Sequence, residues 1–269
     1  MDVASFMTTD PVTVAPDRPI ADAMRLMDDC VIRHLPVVDA GRLIGVVSDR
    51  DCLGATGWRI LGPRAGAAAG TRTVADVMEP DVVTVAPDEQ VVSALVEVLV
   101  RGIGCLPVVR EEELVGIVTQ EDVMTLYVRA CREEGRDQAD DPAVGRIGRS
   151  EAVVVGPRDP VALADELCHE KGFHHLPVVA DDGGIVGMIS DRDLRRAAGA
   201  GLAADSMVES VMTQCVLQVA FDDPLSLAAR MMIEHKVSAL PITGDGPVGI
   251  VTSIDVLDHA TAVLRGSVG

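Results

Sequence analysis

The chain has 269 residues, of which 48% are hydrophobic, 24% charged and only 2% aromatic. These are globular proportions that exclude wholesale disorder and demand a core of Val, Leu, Ile, Met and Ala. The formal net charge of −19 argues against binding along a nucleic-acid backbone, which needs a basic face, and against anionic membrane surfaces.

In chain order, Val12-Thr13-Val14 reads as a short strand. A helix follows, with Ile20, Ala23, Met24 and Met27 at helical spacing. Pro36-Val37-Val38 and Ile44-Gly45-Val46-Val47 read as two strands around a turn at Ala40-Gly41, and Ser48 caps a second helix. The same order then returns three more times. A Leu-Pro pair stands at Leu35-Pro36, Leu106-Pro107, Leu176-Pro177 and Leu240-Pro241. Nineteen residues before each Leu are Pro16, Pro87, Pro157 and Phe221, and nine before those are Met7, Met78, Gly148 and Met212. A second signature follows each Leu-Pro: Gly45 to Asp51, Gly116 to Asp122, Gly187 to Asp193 and Gly249 to Asp255. Turns at Asp182-Gly183-Gly184 and Gly244-Asp245-Gly246 repeat the hairpin signal. Asp159-Pro160 and Asp223-Pro224 predict helix starts with Asp at the N-cap and Pro in the first turn.

The copies span 1–54, 73–126, 143–197 and 205–260. Each reads as a β-α-β-β-α unit, so the fold class is α/β (α+β). A unit of about 55 residues buries little core alone, so the copies are expected to pair. Copies one and three share His-Leu-Pro-Val-Val and Ser-Asp-Arg-Asp, which the others lack. That pattern predicts a duplicated two-copy module, at 1–130 and 143–269. The charged stretch Cys131 to Pro142 would link the modules, and the Gly/Ala-rich stretch Gly62 to Gly70 the first two copies. Trp58, just after copy one, reads as an anchor for the link or as the mark of a partner surface.

Cys30, Cys52, Cys105, Cys131, Cys168 and Cys215 form no Cys-x-x-Cys and read as reduced core thiols. The eleven Met residues read as core filling. Glu111-Glu112-Glu113 and Glu133-Glu134 read as solvated turns or helix faces. Cys168-His169 with His174-His175 invites a metal reading. A zinc site needs about four convergent ligands, whereas these lie on a helix and the strand after it, and no metal is expected. No membrane-length apolar run and no leader peptide is evident, which reads as a cytoplasmic protein. No P-loop, Gly-x-Ser-x-Gly or His-Glu-x-x-His is present, and four repeats leave no room for a catalytic domain. The chain is not expected to be an enzyme.

The combination of h-x-h-x-Pro, Leu-Pro-Val-Val and Gly-h-h-(Ser/Thr)-x-x-Asp, with h apolar, resembles the CBS domain, named after cystathionine β-synthase. Four copies cover nearly the whole chain. The resemblance implies pairing into two Bateman modules, able to form a disc-like assembly. It implies a regulatory role and adenosine-containing ligands: AMP, ADP, ATP, S-adenosylmethionine, sometimes NAD or cyclic dinucleotides. None would be an obligatory cofactor. It further implies a regulated partner protein and, through exposed helices, a homodimer as one arrangement.

Carried over by motif, one pocket joins Ser48, Arg50 and Asp51 to Met78, Val83, Ile103 and Gly104. Its mate joins Thr119 and Asp122 to Met7, Val12, Ile32, Arg33 and His34. In the second module Ser190, Arg192 and Asp193 face Met212, Leu217, Val237 and Ser238, while Thr252 and Asp255 face Val153, Phe173, His174 and His175. The chemistry agrees. An ionised carboxylate is the matching acceptor for a ribose diol. A hydroxyl at a helix N-terminus suits a phosphate, and Arg33, Arg50 and Arg192 add charge-assisted contacts. Ser/Thr-x-x-Asp is also a helix capping box. Two alternatives stand beside the sensor. One is a structural or interaction protein that binds no ligand and works through its acidic surface; the other is an enzyme, for which no motif speaks. Three positions depart from the pattern: Glu121 and Ile254, where copies one and three carry Arg, and Gly148, where the others carry Met.

Overall fold

The structure is a computed structural model and describes residues 2–55, 72–90, 103–132, 141–214 and 216–266. Trp58, the Gly62 to Gly70 link, the first helix of the second copy, Glu133-Glu134 and Cys215 lie outside the described residues. The contacts divide the chain into two units. The described part of the first comprises residues 2–55, 72–90, 103–132 and 257–266; that of the second comprises 141–214 and 216–256.

Each copy centres on an antiparallel hairpin. Strand β1 (Thr8–Thr9) precedes the first hairpin, β2 (His34–Asp39) with β3 (Arg42–Ser48). The second is β4 (Cys105–Arg110) with β5 (Glu113–Thr119), and the third β6 (His175–Val179) with β7 (Ile185–Ser190). Strands β8 (Thr213–Gln214) and β9 (Val219–Ala220) lead to the fourth, β10 (Ala239–Thr243) with β11 (Gly249–Thr252). In the first three hairpins the register shifts after the first residue beyond Pro, at Val37/Val38, Val108/Val109 and Val178/Val179. The Ala40-Gly41 turn has φ of 46° and 84°, the left-handed pair that a two-residue hairpin loop requires. Glu111 and Glu112 make the equivalent turn at 51° and 73°, so this acidic run is a turn rather than a helix face.

The expected first strand of each copy contracts. Val14, Val85 and Val155 each make a single parallel bridge, to Val37, Val108 and Val178. Only the fourth copy keeps a strand, β9 alongside Ile242 and Thr243. The cause lies just beyond. Pro16, Pro87 and Pro157 have no N–H with which to extend the ladder, whereas Phe221 N–H donates to the Thr243 carbonyl at 2.9 Å.

The helix starts also differ from expectation. Helices run Val161–Lys171 and Leu225–His235, with Pro160 and Pro224 at the N-cap and no side-chain cap. The Asp159 and Asp223 carboxylates instead accept the Gly156 and Ala220 N–H groups, each at 2.7 Å, and so close the turn before the helix. The helices are capped from the other copy of the pair. Ile20 N–H donates to the Arg72 carbonyl at 3.2 Å, Val161 to Ser206 at 2.7 Å and Leu225 to Pro142 at 2.9 Å. Asp141 adds both carboxylate oxygens, to Ser226 N–H at 2.8 Å and Ser226 Oγ–H at 2.6 Å.

These caps are part of a reciprocal exchange. The short helical turn that opens each copy, at Val3, Val74, Val144 and Val208, packs on its partner copy, and all four valines are fully buried. Val3 and Ala4 N–H donate to the carbonyls of Glu89 and Pro87, while Val74 and Ala75 donate to Arg18 and Pro16. In the second unit, Val144 and Gly145 donate to Asp223 and Phe221, and Val208 and Glu209 to Asp159 and Pro157. Val74, Val77 and Met78 thus complete the first copy's core, Val3, Phe6 and Met7 the second's, and Val208, Val211 and Met212 the third's. No copy closes its own core, so the pair is the folding unit, as surface-to-volume scaling requires of so small a repeat.

Two substitutions within the repeat compensate. Phe221 replaces Pro, and a Cβ on Gly145, opposite it, would overlap the phenyl ring. Gly148 replaces Met, and its space is taken by Ile242, whose Cδ1 would lie 2.7 Å from a Cβ at 148. The only tyrosine, Tyr127, is fully buried and meets His259 edge-on, ring centres 5.8 Å apart, within the first unit. The cysteines do not all lie in the core: Cys52 and Cys105 are buried, Cys131 and Cys168 half-buried, and Cys30, at the end of the helix Ile20–Cys30, is exposed.

Candidate site: four helix starts at the seams between paired copies

Every Ser/Thr-x-x-Asp motif folds the same way. The hydroxyl residue ends the second hairpin strand and the Asp lies in the first turn of the next helix. Asp51 Oδ2 accepts Ser48 N–H at 2.8 Å and Ser48 Oγ–H at 2.6 Å, while Asp51 N–H donates to Ser48 Oγ at 3.2 Å. Asp122 Oδ2 accepts Thr119 N–H at 2.7 Å and Oγ1–H at 2.8 Å. Asp193 Oδ2 accepts from Ser190 at 2.9 and 2.6 Å, and Asp255 Oδ2 from Thr252 at 2.7 and 2.6 Å. These are reciprocal capping boxes. In each, every carboxylate bond of the box falls on Oδ2, so Oδ1 takes no part in it. Asp51 is exposed and the other three are half-buried.

The residues expected to wall these sites lie at the seams between paired copies. Met78 packs over Gly45, Met7 over Gly116 and Met212 over Gly187; a Cβ on these glycines would lie 2.5–2.8 Å from the sulfur. The signature glycine, missed as a functional position, exists to admit the partner copy's methionine. Its fixed place immediately after an Ile or Val was the available signal. Beside it the backbones cross: Val46 with Glu79, Thr8–Thr9 with β5, Thr213–Gln214 with β7, and Arg149 with Ile250. Ile32, Val83, Ile103, Val153 and Phe173 are half-buried on the margins of the cores. Leu217 is half-buried, while Val12 and Val237 stay 39% and 38% exposed.

Charged and polar groups cluster at the same starts. Arg33 carbonyl accepts Asp49 N–H at 3.1 Å, as His174 carbonyl accepts Asp191 N–H at 3.1 Å. His34 stands beside Ser48 across the hairpin and its ring packs on Gly104. Burial holds its imidazole below the ordinary value, with Asp49 opposing that shift and Arg33 reinforcing it. In the second unit His175 Nε2 meets Ser238 Oγ at 3.1 Å. His174 Nδ1 reaches Asp191 Oδ2, in its own copy, at 3.2 Å, and Arg195 reaches the same oxygen at 3.1 Å. The Arg149 guanidinium lies over the Phe173 ring, 5.8 Å from its centre, a contact the repeat register alone did not reveal. Among the described residues, no group of three or more His, Cys, Asp and Glu is placed to hold a metal ion, and no helix is long and apolar enough to cross a membrane.

The family matched is the CBS domain, at residues 3–56, 74–129, 144–200 and 208–261. Protein MJ1225 of Methanocaldococcus jannaschii is 26% identical over 92% of this chain and 94% of its own. A 33.4 kDa protein encoded in a ribosomal RNA operon of Thermofilum pendens is 30% identical over 94% of this chain and 89% of its own. The crystal structure of MJ1225 superposes with a TM-score of 0.77 at 23% identity, covering 96% of this chain and 99% of that one. A Pyrococcus horikoshii protein gives 0.64 at 21% identity, covering 97% of this chain and all of the other. Four tandem matches, with hairpins and exchanged segments paired as two Bateman modules, make the chain a member of the CBS-domain family.

Proposed function

We propose that the chain is a stand-alone regulatory sensor. It binds adenosine-containing ligands, of the AMP, ADP, ATP or S-adenosylmethionine class, in the clefts between paired copies, and signals to a partner protein by conformational change. It catalyses no reaction. The observation that carries the reading is the four-fold recurrence of a capping box whose Asp commits only Oδ2 to the helix start. The Oδ1 of Asp51, Asp193 and Asp255 stands outside the box as an acceptor for a ribose hydroxyl, with, in copies one and three, an arginine two residues after the hydroxyl. Ligand binding moves the protein only if its two states bind unequally; a cleft lined by both copies of a pair supplies that dependence.

The completeness of the boxes favours one second reading. The motif serves first as a helix cap, and the acidic surface is the working surface of an interaction protein. Thermal unfolding against AMP, ADP, ATP, S-adenosylmethionine, NAD, adenosine and cyclic di-AMP separates the two. A ligand at 100 times its dissociation constant adds about 2.7 kcal/mol, roughly 5–10 °C for a domain of this size. A shift with an adenosine compound, lost in Asp51→Ala with Asp193→Ala, supports the sensor. No shift with any of them, in folded protein free of co-purified nucleotide, leaves the second reading.

A further inference from the structure

The two pairs differ at one point on the seam. His34 and His175 share a register, immediately before Leu-Pro, and each is the cross-strand partner of a capping serine, Ser48 or Ser190. Opposite them stand Gly104 and Ser238, again in matching register. In the first pair the His34 ring fills the space where a side chain at 104 would begin, so the contact is packing alone. In the second, His175 Nε2 and Ser238 Oγ are 3.1 Å apart. The Ser238 carbonyl also accepts Ser253 N–H at 2.9 Å, and Ser253 is the first residue of the last helix, next to Thr252. A connected path therefore runs from the Asp193–Ser190 box through His175, Ser238 and Ser253 to the Thr252–Asp255 box.

We infer that the His175–Ser238 hydrogen bond couples the two clefts of the second pair, so that filling one alters the affinity of the other, whereas the clefts of the first pair fill independently. The inference rests on the ligand-binding reading above. A ligand that engages Ser190 or Asp193 acts on the strand end that bears His175. The imidazole then keeps or loses a directional bond to a residue that anchors the opposite helix start. The packed ring on Gly104 offers no bond to make or break. Coupling is reciprocal, and one neutral hydrogen bond sets its size at about two- to ten-fold in affinity.

The test uses the full chain carrying Asp51→Asn and Asp122→Asn, which silences the first pair, titrated by calorimetry with AMP and separately with S-adenosylmethionine. The expected result is two sites with affinities coupled about two- to ten-fold. In Ser238→Ala, whatever affinity the cleft it lines retains, the two sites should fill independently, and Ser238→Thr, which keeps the hydroxyl, should restore the coupling. Independent sites in the parent, or coupling that survives Ser238→Ala, overturns the inference while the ligand-binding reading stands. Absence of binding by either probe, with the thermal panel also silent, overturns that reading and the inference together.

Discussion

Gly45→Ala is the sharpest perturbation of the exchange between copies. An Ala Cβ there would sit 2.8 Å from the Glu79 carbonyl oxygen and 2.8 Å from Met78 Sδ. The methionine can swing aside. The carbonyl cannot, because it accepts Val46 N–H at 3.0 Å while Glu79 N–H returns a bond to Val46 at 2.9 Å. Overpacking costs about 1–3 kcal/mol, and loss of the two backbone bonds adds about 0.5–1.5 kcal/mol each. Gly45→Ala should therefore destabilise the first unit by about 2–6 kcal/mol, a fall in Tm of at least about 4 °C. Gly54, in the helix Asp49–Ala55, is the control: a Cβ there meets nothing within 4 Å. Gly54→Ala should stabilise by about 0.5–1 kcal/mol through helix propensity. Urea unfolding followed by far-ultraviolet circular dichroism reads both variants, compared at equal m-value. If Gly45→Ala lies within about 0.5 kcal/mol of the parent, or both variants shift the same way, the crossing of copies at Val46 and Glu79 is wrong.

Three further outcomes follow from the packing. Replacing Glu111-Glu112 by Asn-Gly should raise the urea midpoint, because left-handed φ at both residues costs a residue with a Cβ about 1–2 kcal/mol. The lost Arg42–Glu112 contact at 2.9 Å is exposed and worth at most about 1 kcal/mol; an unraised midpoint argues against the strain. A chromogenic disulfide reagent should label Cys30 first and spare Cys52 and Cys105, whose thiols burial pushes up to about 12; rapid labelling of either buried thiol in folded protein contradicts the core. His34, held by burial below 6.5, binds its proton more readily in the unfolded chain, so its contribution is complete above pH 6.5 and is lost as pH falls from there through the lower value it has in the fold. His34→Gln should flatten the decline in stability between about pH 7 and pH 5, and an unaltered slope would refute burial against Gly104.

The hairpins were legible because their signals are local. Leu-Pro with apolar residues after it, a short polar turn and an apolar run ending in Ser or Thr specify two strands and a cap within one stretch of chain. The exchange of opening segments was not legible. Val3, Val74, Val144 and Val208 sit in register with the rest of each copy, so sequence assigns each to the copy it precedes, while its burial partner lies in the other copy. The capping of Asp159-Pro160 and Asp223-Pro224 failed for the same reason. A local rule placed Asp on the helix, but the helix already takes its cap from residues far along the chain, such as Asp141 for Ser226, which leaves the nearer carboxylate to close its own turn.

The same division separates what the repeat needs to fold from what it has left over. The signature glycines admit methionine, the prolines end the first strand, the opening valines close a neighbour's core, and the hydroxyls cap helices. Folding accounts for these without a ligand. It gives no account of Val12 and Val237, more than a third exposed beside buried neighbours such as Val14 and Leu240. Copies one and three also carry Arg in the first turn of the capped helix, where the macrodipole disfavours a cation. An apolar residue left open and a cation placed against its helix dipole both carry a stability cost, and an anionic, partly apolar small molecule would offset both at once. The exposed valines and the first-turn arginines therefore add to the case for a ligand that the recurring box makes, with its Asp bound to the helix start through Oδ2.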